Sequence, residues 1–325
     1  MFGVPMEALV LKSTGSWYRI QFADGTQADA RLRGSLRLSG SRATNPVAVG
    51  DQVVAEPESE GRWAISSVRE RRNHLVRKSV NLSHKSQVIA ANIDQAVLVA
   101  TVAEPKTLFG FMDRFLATAE AYRIPALIAF NKVDELNEAT EAELVYREAA
   151  YGQAGYPTLR VSAETGEGLD ALREALQGKV SLFSGHSGVG KSSLANRLQP
   201  GLQLRTGAIS SAHGQGQHTT TFAEMHPLDF GGFLIDTPGI RGFGLVDMER
   251  EELSHYFREI FALSSQCRFG NCLHSDEPGC AVRTAYETNA LAPTRYESYL
   301  SMLVGEDEND PYRHGAYNDL KGRTR

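Results

Sequence analysis

Over the first seventy residues, apolar and polar positions alternate in short runs. This predicts strands at Glu7–Lys12, Trp17–Phe22, Gln27–Leu32, Gln52–Glu56 and Trp63–Val68. Gly and Asp separate them, as in Ala23-Asp24-Gly25 and Val49-Gly50-Asp51. Closely spaced short strands with no helix-period run between them predict a small barrel. From about Val88 the pattern changes. Ala96–Val102 is a continuous apolar run, as a buried strand requires, and Phe111, Phe115 and Ala119 share one face of a predicted helix over 111–122. Further strands are predicted at Pro125–Phe130, Thr158–Val161, Val180–Phe183 and Phe233–Ile235. Helices are predicted at Glu138–Tyr151, Gly168–Leu176 and Lys191–Leu198. Strands alternating with helices imply a parallel sheet covered on both faces. After Gly244 the strands stop. Helices are predicted at Glu249–Leu263 and Ala290–Val304, followed by a polar tail from Gly305 that is expected to be mobile.

Composition changes this picture only in places. The chain has 325 residues, 42% of them hydrophobic and 22% charged, which suits a multi-domain globular protein. The first residues lack the basic stretch, apolar run and small-residue cleavage site of a secretory signal, and no apolar run is long enough to span a bilayer. A cytoplasmic protein without membrane contact is expected. Net charge is −5, yet residues 1–85 hold 13 Lys+Arg against 8 Asp+Glu. Arg62, Arg69, Arg71, Arg72, Arg77, Lys78 and Lys85 crowd into one segment. Such a run suggests either a phosphate-rich partner or a solvated linker.

The candidate chemistry sits where predicted strands end. Gly185-His186-Ser187-Gly188-Val189-Gly190-Lys191-Ser192 fits G-x-x-x-x-G-K-[ST] between a strand and a helix. Its backbone N–H groups can turn inward around phosphates. Gly185, Gly188, Val189, Gly190, Lys191, Ser192 and the following Ser193 are therefore candidate nucleotide contacts, and Ser192 is a candidate Mg²⁺ ligand. Asp236-Thr237-Pro238-Gly239 closes a later strand, where a carboxylate can reach Mg²⁺ through water and the Gly239 N–H can reach a γ-phosphate. Asn131-Lys132-Val133-Asp134 supplies Asp134, which can accept hydrogen bonds from N1–H and the 2-amino group of guanine. Adenine offers neither, so GTP and GDP are expected over ATP. Ser162-Ala163 would set a backbone N–H against the guanine O6. Gly214–Thr221 lies between the phosphate loop and Asp236, where a switch loop belongs. Thr220 is favoured there as a Mg²⁺ ligand, with Thr219 and Thr221 as alternatives. Ile240 stands where related enzymes carry a water-orienting Gln, which leaves His218 as the nearest polar candidate.

The order of these motifs is unusual. The guanine-reading segment comes first, the phosphate loop second and the DxxG segment last. One pocket is implied, on a circularly permuted chain. The three cysteines all fall in Cys267-x4-Cys272-x-His274-x5-Cys280. Three thiolates and an imidazole are the right set for one tetrahedral structural Zn²⁺.

A barrel, a permuted GTPase and this cysteine knuckle together resemble the ribosome small subunit-dependent GTPase A family (RsgA, also called YjeQ or YloQ). The matching stretches include Ala91-Asn92-Ile93-Asp94-Gln95, Asp113-Arg114-Phe115-Leu116, NKVD at 131–134, GHSGVGKS at 185–192, GQHTTT at 216–221 and DTPGIRGFGL at 236–245. The resemblance implies an α/β protein: a circularly permuted P-loop GTPase domain with an N-terminal β-barrel (OB-fold) and a C-terminal zinc-binding helical domain. The expected boundaries are 1–72 for the barrel, 73–87 for a basic linker, 88–246 for the GTPase and 247–325 for the zinc-binding domain with its tail. It further implies a GTP hydrolase acting late in small ribosomal subunit maturation, stimulated by that subunit, binding its rRNA and released on hydrolysis. It places the switch threonine on Thr220 and a catalytic histidine on His218. A monomer is expected. Two rival readings remain: an RNA-binding module holding nucleotide only as a structural ligand, and a zinc-containing P-loop ATPase.

Overall fold

The computed structural model describes residues 4–34, 45–58, 61–78, 86–204, 223–236 and 249–305. The chain divides into two compact units. One comprises 1–96, 173–184 and 195–240, and the other 97–172, 185–194 and 241–325.

The first unit opens with β1 (Met6–Ser13), β2 (Tyr18–Phe22), β3 (Gln27–Leu32), β4 (Gln52–Pro57) and β5 (Trp63–Val68). They close in the order β1-β2-β3-β5-β4-β1, with β3 and β5 parallel and every other pair antiparallel. The predicted barrel is therefore present. Val10, Ile20, Ala30, Val53, Ala55 and Ile65 are all fully buried and fill its interior. Alternation at period two is what brings these side chains to one face.

The segment after β5 differs from expectation. A basic linker is expected over 73–87, yet β6 (His74–Lys78) and β7 (Ser86–Ala91) form an antiparallel hairpin. Its base is tied down by charge. Arg71 donates to both oxygens of the fully buried Asp51 at 2.7 Å, and Arg72 pairs with Asp94 at 2.7 Å. Arg69 pairs with Glu7 at 2.6 Å. Part of the basic run thus holds the fold together, and the alternation of polar and apolar residues could not reveal those partners.

The α/β elements follow in chain order: β8 (Gln95–Ala100), α1 (Phe109–Ala121), β9 (Ala126–Phe130), α2 (Glu138–Gln153), β10 (Thr158–Arg160), α3 (Leu169–Leu176), β11 (Val180–Ser184), α4 (Lys191–Leu198), β12 (Glu224–Pro227) and β13 (Phe233–Asp236). In the first unit β13 lies parallel to β11 and antiparallel to β12, and β12 meets β1 of the barrel at Lys12 and Glu224. That pair is also an ion pair of 2.7 Å. In the second unit β10, β9 and β8 run in that order, with β10 and β9 parallel. Every residue of β9 is buried, as a strand covered on both faces must be. An Asn137–Thr140 capping box starts α2.

The helical end of the chain, in the second unit, holds α5 (Arg258–Ser264), α6 (Ala281–Glu287) and α7 (Pro293–Leu303). The helix predicted over 249–263 is split into a 3-10 segment at Arg250–Tyr256 and α5. Phe257 breaks it with an extended φ of −112°, because its fully buried ring is held edge-on against Tyr299 and under the Arg295 guanidinium. Tertiary packing has overridden local periodicity there. The start of α7 at Pro293, later than the predicted Ala290, follows from the ring: proline needs no N–H partner in the first turn. The short α6 was not visible in the pattern. The expected tail lies outside the described residues. Among the described residues, no helix is long and apolar enough to cross a membrane.

Candidate guanine-nucleotide site and metal cluster

In the second unit, the guanine-reading and phosphate-binding segments meet through one buried side chain. β9 delivers Asn131, whose N–H donates to the Ala100 carbonyl at 2.8 Å. Its side-chain Nδ2 donates to the Val189 carbonyl at 2.8 Å, and its Oδ1 accepts from the Ala163 N–H at 3.1 Å. Both ends of the amide are thus spent inside the protein. Asn131 clips the phosphate loop to both base-reading segments.

The residues around it are shaped by this contact. Lys132 adopts a left-handed conformation (φ 66°) and sends Nζ to the Glu104 carbonyl at 2.9 Å. Asp134 follows in a 3-10 turn and is exposed. Ser162, fully buried, donates its hydroxyl to Asp134 Oδ1 in a short hydrogen bond and accepts from the Thr165 N–H at 3.0 Å. The carboxylate is therefore oriented before any ligand arrives.

The phosphate loop connects β11 to α4. Two of its glycines are demanded by neighbours. A Cβ on Gly185 (φ 146°) would fall 2.3 Å from the Val99 carbonyl oxygen, and one on Gly190 (φ 91°) would fall 2.3 Å from Asn131 Nδ2. Lys191 Nζ donates to the carbonyls of Gly185 at 2.7 Å and His186 at 2.8 Å. The imidazole of His186 is half-buried. Burial holds it below its ordinary pKa, the Lys191 charge adds to this, and the Ser187 carbonyl opposes it. Ser192 and Ser193 occupy the first turn of α4. In the first unit Asp236 ends β13, in register with Phe183 of β11, two residues before Gly185. His218, Thr219, Thr220, Thr221 and Gly239 lie outside the described residues.

The cysteine knuckle gathers as its spacing predicts. The donor atoms of Cys267, Cys272, His274 and Cys280 all lie within 4.8 Å of one another. Nδ1 of His274 is 3.5 Å from both Cys267 Sγ and Cys280 Sγ, and those two sulfurs are 4.0 Å apart. A tetrahedral zinc with bonds of about 2.3 Å to sulfur and about 2.0 Å to nitrogen needs S···S and S···N edges of roughly 3.5–3.8 Å. The donor set fits. The surroundings set the ligands: Tyr296 donates to the His274 carbonyl at 2.5 Å, Tyr299 to the Leu273 carbonyl at 2.8 Å, and Glu277 accepts the N–H groups of Leu273 and Ser275. Burial pushes the Cys272 thiol up to about 12, so a cation is the group that would make it a thiolate.

The sequence profile of the RsgA GTPase matches residues 68–246, and that of the RsgA N-terminal domain matches residues 7–65. The chain belongs to the RsgA GTPase family. The small ribosomal subunit biogenesis GTPase RsgA of Bacteroides fragilis is 53% identical over 315 residues, covering 96% of this chain and 100% of that protein. The protein of the same name from Porphyromonas gingivalis is 53% identical over 311 residues, covering 94% and 98%. Among solved structures, YjeQ from Thermotoga maritima is 35% identical with a TM-score of 0.79, covering 93% of this chain and 98% of that one. YloQ, described as a circularly permuted GTPase, is 29% identical with a TM-score of 0.74, covering 95% and 98%. The N-terminal barrel and the permuted GTPase are therefore the RsgA architecture.

Sequence reasoning missed the residues that support this RsgA site from behind. Thr107 and Arg147 belong to no motif. Arg147 reaches Thr107 across 40 residues and Thr107 reaches His186 of the phosphate loop across 79, separations that no local signal carries.

Proposed function

We propose that this protein hydrolyses GTP to GDP and phosphate as a late factor in small ribosomal subunit biogenesis, and that the subunit stimulates the reaction. The observation that carries the reading is Asn131, which ties a guanine-selective carboxylate, Asp134, to a phosphate loop in one compact unit. In this reading Asp134, Ser162 and Ala163 recognise guanine, with Asn131 and Lys132 supporting them. Gly185, Gly188, Val189, Gly190, Lys191, Ser192 and Ser193 receive the phosphates. Lys191 neutralises charge developing on the transferred group. Its ammonium, now donating to loop carbonyls, exchanges those acceptors for phosphate oxygens.

Mg²⁺ would be held by Ser192 and Thr220, with Asp236 acting through water and Gly239 meeting the γ-phosphate; the ion would supply charge neutralisation there. His218 would orient the attacking water. One structural Zn²⁺ at Cys267, Cys272, His274 and Cys280 would hold the C-terminal helices together. We assign 1–72 to the rRNA-binding barrel, 73–87 to a basic connection that carries β6 and the start of β7, 88–246 to the GTPase and 247–325 to the zinc-binding domain. A cytoplasmic monomer that leaves the subunit on hydrolysis completes the reading. The names of the relatives support the ribosomal partner. The barrel supports RNA contact, since such barrels bind single strands.

The test is GTP turnover with and without purified small ribosomal subunits. External activation of a GTPase reaches roughly 10³–10⁵-fold, and a rise of at least tenfold is expected here. Turnover unmoved by the subunit removes the ribosomal assignment.

A further inference from the structure

The phosphate-loop pattern leaves its second position open. Here that position is His186, and both ring nitrogens have partners. Nδ1 lies 3.0 Å from the Ser187 carbonyl oxygen and Nε2 lies 2.7 Å from Thr107 Oγ1. A carbonyl only accepts. Nδ1 therefore carries the hydrogen, and Nε2 presents its lone pair to the threonine. The threonine complements it: Thr107 Oγ1 accepts the Thr101 N–H at 3.0 Å, and its own O–H is directed to His186.

Thr107 is itself held firmly. It is fully buried, its N–H donates to the Thr101 carbonyl at 2.9 Å, and its carbonyl accepts from Arg147 Nη1 at 2.7 Å. Arg147, also fully buried, is held by Glu143 at 2.6 Å and lies over the Phe109 ring at 4.2 Å. Phe111 of α1 meets the imidazole edge-on, with centroids 5.7 Å apart. The main-chain carbonyl of this same His186 accepts Lys191 Nζ. An anchored imidazole thus sets the direction of a carbonyl that holds the phosphate-binding lysine.

We propose that His186 is a positioning residue of the phosphate loop. Thr107 anchors its side chain, and His186 in turn keeps the loop and Lys191 in the shape that receives a guanine nucleotide's phosphates. The proposal rests on the GTP reading of the site. One neutral hydrogen bond corresponds to about two- to tenfold in affinity, and effects of that size are expected.

The experiment titrates the full-length protein with fluorescent GDP and GTP analogues. His186→Ala and Thr107→Val should each weaken binding by about three- to tenfold. The double variant should be no weaker than the weaker-binding single, because both changes remove the same contact. His186→Gln, whose amide oxygen can accept from Thr107, should recover most of the loss. Thr107→Ser keeps the hydroxyl and should bind like the parent, which preserves the test if Thr107→Val does not fold. Additive losses, unchanged affinity, or a fall in turnover at saturating GTP with affinity intact would each overturn the proposal. If the parent protein binds no guanine nucleotide, the GTP reading itself fails; if it binds normally and only the His186 variants are silent, this proposal alone fails.

Discussion

Asp134 is exposed at the mouth of its turn, and Ser162 donates to one of its oxygens. In the proposed reading this single carboxylate carries the choice of base. Asp134→Asn keeps the shape and the Ser162 contact but removes the charge and turns an acceptor into a donor. Hydrogen bonds to charged groups contribute about 1.5–3 kcal/mol each, so GTP affinity should fall by at least tenfold. Xanthine carries an oxygen where guanine carries its 2-amino group, so xanthine nucleotide should bind the variant better than GTP does. Competition titrations measure both, and an unaltered preference for GTP would remove Asp134 from base recognition. At this scale the motifs were legible because each needs particular residue types at short spacing. Asn131 was legible only as part of NKVD. That its amide joins Val189 and Ala163 depends on the phosphate loop meeting the segments that follow β9 and β10.

Among elements, the cysteine knuckle is the clearest case of sequence spacing becoming local structure. Four ligands within 14 residues close on themselves, and the helices around them form one apolar cluster with Phe257, Ile260, Val282, Tyr296 and Tyr299. Short helices of seven residues do not stand alone. Metal at such a site contributes roughly 10–16 kcal/mol of apparent folding free energy. Chelation should therefore melt 249–305, seen as loss of near-ultraviolet ellipticity from the tyrosine cluster and as new proteolytic cleavage there. A protein isolated without zinc, with an unaltered cleavage pattern, would contradict the metal assignment. The break at Phe257 escaped sequence reading for the opposite reason: it is imposed by Arg295 and Tyr299, far along the chain.

For the whole molecule, the buried charges of the second unit matter most. Arg295 of α7 is almost fully buried and pairs with Asp113 of α1 at 2.7 Å and with Glu259 of α5 at 2.6 Å. Its guanidinium faces the rings of Phe257, Tyr151 and Tyr156. Nearby, Arg258 joins Glu120 at 2.7 Å and the Gly155 carbonyl at 2.7 Å. The C-terminal helices are thus fastened to α1 and to the end of α2. Arg295→Ala would strand Asp113 in the interior, where breaking a buried pair costs about 3–5 kcal/mol. Chemical denaturation should show that loss, and Asp113→Asn combined with Arg295→Met should recover much of it. A surface-like effect below about 0.5 kcal/mol would show that the pair is not structural.

The order of the motifs, the barrel alternation and the cysteine spacing were decided by the sequence itself, because strand period, phosphate-loop geometry and metal coordination are local constraints that only a few residue types satisfy. Tertiary structure alone decided which side chains stand behind those motifs. The Asn131 clip, the Thr107 anchor for His186 and the Asp113–Arg295–Glu259 cluster each join segments with no relation in the pattern. Buried polar groups must find partners wherever the packed chain brings them, and that requirement leaves no periodic trace.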